Sequence, residues 1–251
     1  MSTSSELRIE PAAEILDAAR QWLQPVRLAL GGEFLGAYLT GSVLTQGFDP
    51  KKSGVNLLVI SRSLDTTVLE RLAAALPEPK KATRFEPLFM TQGQIEKSLD
   101  SFPIEWLDIR ERHLLLEGED VVASIDVPRT YLRLQCEHEL RGKHIQLRQT
   151  LLLQSRQSLV LLRTLGGVAS SLATLFRTLL RLQGESPPAE SARVIERVAD
   201  VFRLDAGALL IPHMIRYGGR SPKGDEVALQ YRRFLAELDR LIAAIDELKT
   251  P

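Results

Sequence analysis

The chain has 251 residues, 44% of them apolar and 25% charged, and its 32 Lys and Arg balance its 32 Asp and Glu. That composition excludes a disordered chain, and no uncharged apolar run approaches the about 20 residues that span a bilayer. One cysteine, Cys136, excludes an internal disulfide and a cysteine-based zinc site, and Met1 to Leu30 mixes Glu, Arg and Asp as no secretory signal does; the expectation is a cytoplasmic protein without a membrane partner.

Apolar residues at Ala13, Ile15, Leu16, Ala19, Trp22 and Leu23 predict a helix from Pro11 to Leu30, bent at Pro25 and stopped by Gly31-Gly32. Phe34 to Thr40 reads as a buried strand, Gly41 to Ser53 as a loop, and Val55 to Ile60 as a second strand. Asp65 caps a helix over Thr66 to Leu76, Pro77-Glu78-Pro79 ends it, and a strand follows at Thr83 to Met90. Thr91 and Gln94 have capping-box spacing for a short helix to Leu99, whereas Phe102 to Ile109 and His113 to Leu116 fit strand or helix equally. Gly118-Glu119-Asp120 is a turn. The alternation predicts an α/β sheet packed by helices.

From Arg129 the period is helical throughout. Leu132, Cys136, Leu140, Leu147 and Leu151 form the stripe of a long helix, and a second helix runs from Ser158 to Leu182. Gly184 to Ala189 is a loop, and helices follow over Ser191 to Phe202, Ala206 to Tyr217 and Asp225 to Lys249, giving a bundle of about five. The expected division is therefore an α/β domain over 1–126 and an all-α helical bundle over 127–251. Charge divides at the same point: residues 1–126 carry 13 Lys and Arg against 19 Asp and Glu, and the remainder 19 against 13. The basic half suits either a phosphate ligand or attraction to its acidic neighbour.

The most specific motif is Leu39-Thr40-Gly41-Ser42 at a strand end, followed after 11 residues by Gly54-Val55-Asn56-Leu57-Leu58-Val59-Ile60. It resembles the nucleotidyltransferase superfamily of the DNA polymerase β type. In that superfamily a Gly-Ser pair precedes a strand carrying Asp-x-Asp or Asp-x-Glu, whose carboxylates hold two magnesium ions over a nucleoside triphosphate. A glycine lets backbone approach phosphate closely, and carboxylates on alternate strand residues face one way and share hard cations. The matching positions here are Gly54 and Asn56, one without a side chain and one a neutral amide.

The resemblance implies a nucleotide bound through Gly41, Ser42 and Asn56, and a third carboxylate on the neighbouring strand, where Glu86 falls in order and Glu105 and Asp108 are rivals. Asp49, before Gly54, is the candidate displaced ligand for magnesium. Aminoglycoside nucleotidyltransferases also follow their sheet with a helical bundle, and such bundles are similar to HEPN domains. Arg133 to His138 have the Arg-x4-His spacing of HEPN ribonucleases, but lie on the first long helix and read as a structural face. Arg141, His144 and Arg148 share one side of that helix and suit a phosphate tail, while i,i+4 pairing of Glu137 with Arg133 and Arg141 is the competing use.

The resulting expectation is a catalytically degenerate nucleotidyltransferase-like protein that binds a nucleotide or serves as a partner or regulatory module. The rival is an active enzyme in which Asp49, Glu86 or Glu105 replaces the lost carboxylates. Nucleic acid is not the expected partner. A second copy of the chain is, through a seam of Leu161, Leu165, Val168, Leu172, Leu175 and Leu179, unless that stripe forms an intramolecular core.

Overall fold

Four strands form one mixed sheet in the order β3-β2-β1-β4, with β1 at Phe34–Thr40, β2 at Val55–Ser61, β3 at Phe85–Thr91 and β4 at His113–Gly118. The structure is a computed structural model and describes residues 10–44, 48, 54–78, 84–219 and 221–248. The chain separates into two compact units, Met1–Val127 and Pro128–Pro251. The first is α/β and the second, among the described residues, entirely helical.

β1 pairs antiparallel with β2 and β4, and β2 pairs parallel with β3. Antiparallel neighbours need only short connections, whereas the parallel step from β2 to β3 requires a crossover. That crossover carries α2 (Thr66–Ala75), which starts where the Asp65 carboxylate accepts the Val68 N–H at 2.9 Å. This bond to the helix N-terminus also holds the Asp65 carboxyl below its ordinary pKa.

The core lies between the sheet and the helix pair α1 (Ala13–Leu30) and α2. Leu23, Val26 and Leu30 of α1 meet Ala37, Val59, Val68 and Leu72, and an adjoining cluster gathers Ala19, Leu39, Val55 and Leu57. These are alternate residues of β1 and β2, as a sheet covered by helices on that face demands. α1 runs unbroken through Pro25, where a bend is expected; the carbonyl that Pro25 leaves without its helical partner belongs to the exposed Gln21.

Two ambiguous segments resolve into one helix, α4 (Pro103–Glu111), and one strand, β4. Pro103 in the first turn starts the helix, and α3 (Gln92–Lys97) before it begins with the expected Thr91–Gln94 capping box. The segment expected as loop after β1 is instead a 3-10 turn over Gly41–Leu44, because Val43 and Leu44 are buried in the core. Each such side chain contributes about 1.5–3 kcal/mol and pins the turn.

The helical unit consists of α5 (Arg129–Gln154), α6 (Ser158–Leu182), α7 (Ser191–Phe202), α8 (Ala206–Leu209), α9 (Ile211–Tyr217) and α10 (Asp225–Asp246). The helix expected over Ala206 to Tyr217 is broken at Leu210, since Pro212 cannot donate to the Ala208 carbonyl. α6 is long and apolar enough to cross a membrane by length and composition, but half of its most apolar stretch is buried and it packs on α5, α7, α9 and α10. The stripe expected as a seam between copies, Leu161 to Leu179, is buried inside the chain and serves as core. Cys136 is fully buried on α5, and burial pushes its thiol up to about 12, so it is a packing residue.

Tyr38 is the largest buried side chain of the sheet, and its hydroxyl donates to the Glu119 carbonyl at 2.6 Å while accepting the Val121 N–H at 2.9 Å. Burial raises its pKa, so the phenol stays neutral. The hydroxyl ties the segment after β4 across Gly36, where any Cβ would stand 2.6 Å from the Glu119 carbonyl. Tyr38→Phe is expected to destabilise the sheet unit by about 1 kcal/mol, read as a lower urea midpoint, because it removes both bonds of the hydroxyl while the Val121 N–H keeps its 3.1 Å bond to the Glu119 carbonyl.

Candidate functional site

Register brings four residues of four strands into one row. Thr40 pairs with Asn56 on one side and His113 on the other, and Asn56 pairs with Glu86. Directly paired residues project to the same face, so the row His113–Thr40–Asn56–Glu86 lies on the face opposite the α1/α2 core. Asn56 is the exposed residue of an otherwise buried strand. A buried strand leaves a polar side chain open for a reason, and here the neighbours supply it.

Gly41 begins the turn after β1 with φ +76°, a left-handed conformation that costs an ordinary residue energy and suits glycine. A Cβ there would stand 2.7 Å from Nδ2 of Asn56, so the amide lies directly against the turn. Ser42 follows, exposed, with Val43 and Leu44 anchoring the turn from beneath. Gly41, Ser42 and Asn56, the three predicted nucleotide contacts of the sheet domain, are thus held at one sheet end by strand register and a pinned turn.

The second half of the site is at Gly54. A Cβ at this position would stand 2.5 Å from both Cδ and Oε1 of Glu86, so the Glu86 carboxyl occupies the space that a side chain at 54 would fill. The carboxylate is held there by Arg84, whose Nη2 donates to Glu86 Oε1 at 2.6 Å. Arg84 and Glu86 are alternate residues leading into and along β3 and so face the same way. Val55 N–H to the Arg84 carbonyl at 2.8 Å fixes the start of both strands.

Arg84 is the residue that sequence reasoning passed over, although an arginine two positions before a strand glutamate is the signal for this pair. The remaining predicted positions are dispersed. Glu105 lies exposed in the first turn of α4, which the row does not include. Its rival Asp108 pairs with Arg112, the residue just after that helix. Asp49 lies outside the described residues. His113, at the far end of the row, is engaged by the Ile109 and Arg110 carbonyls through Nδ1 and by Asp120 through Nε2.

In the helical unit both i,i+4 pairs form: Arg133 to Glu137 at 3.0 Å and Arg141 to Glu137 at 2.8 Å, with a further bond from Arg141 to Asp246 at 2.9 Å. The hydrogen bond from Arg141 is the main reason the Glu137 carboxyl lies below its ordinary pKa. The guanidinium of Arg141 is therefore engaged by two carboxylates. Arg148 is exposed, and burial lowers the pKa of neighbouring His144, with the Arg148 charge acting in the same direction.

Magnesium takes near-octahedral oxygen coordination with carboxylates supplying charge. The described residues here supply a glycine, a neutral amide and one carboxylate paired with a guanidinium, and this donor set does not fit a two-metal centre. Among the described residues no group of three His, Cys, Asp or Glu converges on a point. What the arrangement does offer is hydrogen-bond donors: the Asn56 amide, the backbone of the Gly41-Ser42 turn and the Arg84 guanidinium.

Gly41→Ala is expected to lower stability by about 1 kcal/mol or more, since it combines an unfavourable φ with displacement of the Asn56 amide. Paired with Asn56→Ala in a double-mutant cycle, the cost should fall by the steric share, which urea denaturation of the four proteins measures.

No protein-family model matches the chain, and no curated protein does. Among solved structures it is similar to a nucleotidyltransferase-like protein from Exiguobacterium sibiricum 255-15, at 14% identity and a TM-score of 0.41, covering 92% of this chain and 75% of that one. At that level of likeness no residue role transfers from one protein to the other.

Proposed function

We propose that this chain is a nucleotidyltransferase-like protein that performs no nucleotidyl transfer and binds the phosphate tail of a nucleotide without a metal ion. The supporting observation is the Arg84–Glu86 pair laid over Gly54. Where the motif's first carboxylate is missing, the third has moved into its space and taken a guanidinium as its counter-ion. In two-metal transfer, divalent cations neutralise both the attacking and the leaving oxygens. A single guanidinium is a weaker but fixed positive charge with directional donors, suited to holding a phosphate rather than cleaving it.

On this reading Gly41 and Ser42 present backbone and hydroxyl donors to a phosphate oxygen, Asn56 adds its amide, and Glu86 positions Arg84 instead of acting as a base. The active alternative needs Glu86, Glu105 or Asp49 to serve as metal ligands. Glu86 faces Arg84 and Glu105 is on a helix outside the row, which among the described residues supports the degenerate reading; Asp49 lies outside them.

Calorimetric titration with ATP, GTP, CTP and UTP, in magnesium and again in chelator, tests the reading. The expected result is binding of at least one triphosphate with affinity unchanged by chelation, lost in Arg84→Ala, and no pyrophosphate release. Magnesium-dependent binding, pyrophosphate release abolished by Glu86→Gln, or no binding of any triphosphate overturns it. A gain-of-function variant gives a second check: Gly54→Asp with Asn56→Asp pushes the Glu86 carboxyl out of the space at 54 and adds two carboxylates to the sheet end, and is expected to bind magnesium more tightly than the native chain. Calorimetry with the metal alone reads it.

A further inference from the structure

Four large apolar residues of the described chain are more than 70% exposed, and three of them, Leu152 (74%), Leu153 (71%) and Leu159 (80%), lie within eight residues of one another. They sit at the corner between α5 and α6, two helices packed together and joined by Ser155, Arg156 and Gln157. The Gln157 N–H bonds the Gln154 carbonyl at 2.9 Å and the Leu161 N–H bonds that of Gln157 at 3.1 Å, so this is a tight, hydrogen-bonded helical corner. Leu152 and Leu153 occupy the last turn of α5 and Leu159 the first turn of α6, all at the blunt end of the hairpin. Single exposed leucines are ordinary, whereas a cluster of three at such exposure marks a contact surface.

The charge along the α5–α6 segment itself has one sign. From Leu140 to Gly184 the sequence contains seven Lys and Arg and no Asp or Glu. Arg148, Arg156 and Arg163 are exposed on the two helix ends and the corner between them, and none has an ion-pair partner among the described residues. The carboxylates of α10 that pair with α5 do so at its middle, Asp246 at Arg141 and Asp239 at His144, and among the described residues the acids of the first turn of α10, Asp225 and Glu226, have no ion pair with Arg148, Arg156 or Arg163. Leucines that protrude at a helical corner, ringed by unpaired arginines, match a surface whose outer layer is anionic and whose next layer is apolar.

We infer that the α5–α6 corner docks on an anionic lipid bilayer, with Leu152, Leu153 and Leu159 entering the headgroup boundary and Arg148, Arg156 and Arg163 meeting lipid phosphates. Nucleic acid satisfies the arginines but leaves three leucines in water. The attachment is peripheral: α6 spends its apolar face inside the helical unit, so the chain lies on the membrane and does not span it. Its strength rests on two additive parts, the apolar insertion and the attraction of basic residues to anionic headgroups.

Flotation of the full-length protein with vesicles of phosphatidylcholine containing phosphatidylglycerol, against vesicles of phosphatidylcholine alone, tests the inference. The expected result is co-flotation with the anionic vesicles only, weakened by salt. Arg148→Gln, Arg156→Gln and Arg163→Gln together should weaken partitioning roughly a hundredfold, and Leu152→Ser, Leu153→Ser and Leu159→Ser together should abolish it. All six side chains are exposed or lie at exposed positions, so circular dichroism and melting should match the native protein and exclude misfolding as the cause. No flotation of the native protein, equal flotation with neutral vesicles, or flotation unchanged in the leucine variant overturns the inference. So does a native dimer by light scattering that the leucine variant converts to monomer, which would assign the corner to a second copy of the chain.

Discussion

The parallel register between β2 and β3 sets the charged half of the candidate site. Because Asn56 pairs with Glu86, Gly54 falls beneath the Glu86 carboxyl and Arg84 falls beside the same space. A slip of β3 by one residue would turn Glu86 to the core face and bring Phe85 out. The core therefore enforces the site: Val55, Leu57 and Val59 are buried against α1 and α2, and they leave the strand one alignment only.

With that alignment in place, the chemistry follows from which charges can share the sheet end. A carboxylate whose neighbours are another carboxylate and a metal behaves as a ligand. The same group beside a glycine and a guanidinium becomes half of an ion pair. Arg84 and Glu86 are each substantially exposed, so the pair contributes little to stability. What the pair does fix is a positive charge at the sheet end where Asn56 pairs with Glu86.

Much of the fold was legible in the sequence, and what was not has physical causes. β1 and β2 are continuous apolar runs bounded by glycines, and the Thr91–Gln94 box announces its helix directly. The segment 102–116 was ambiguous because α4 buries Trp106 and Leu107 while carrying acids and arginines with no clean period. The break at Leu210 depends on Pro212 lying past the first turn of a longer apolar pattern, a position where proline alone does not separate a start from an interruption. At the site, Gly41, Ser42, Gly54 and Asn56 stand in one local motif that runs along the chain, whereas Glu86 was a candidate only through the order the resemblance implies. The Arg84 contact and the occupied space at Gly54 were not legible, because they exist only across a parallel pair that no local pattern encodes.

β3 closes the sheet on one side and carries exposed residues at Glu86, Pro87 and Leu88. An open edge of this kind is a template on which another chain's strand can add, and an exposed leucine makes the addition more favourable. Pro87 withdraws one N–H from that edge, and the charged pair at Arg84 and Glu86 beside it repels a dry, apolar neighbour. Arg84 and Glu86 therefore also guard the sheet against growing from molecule to molecule, and a variant that removes their charges exposes a surface prone to self-assembly.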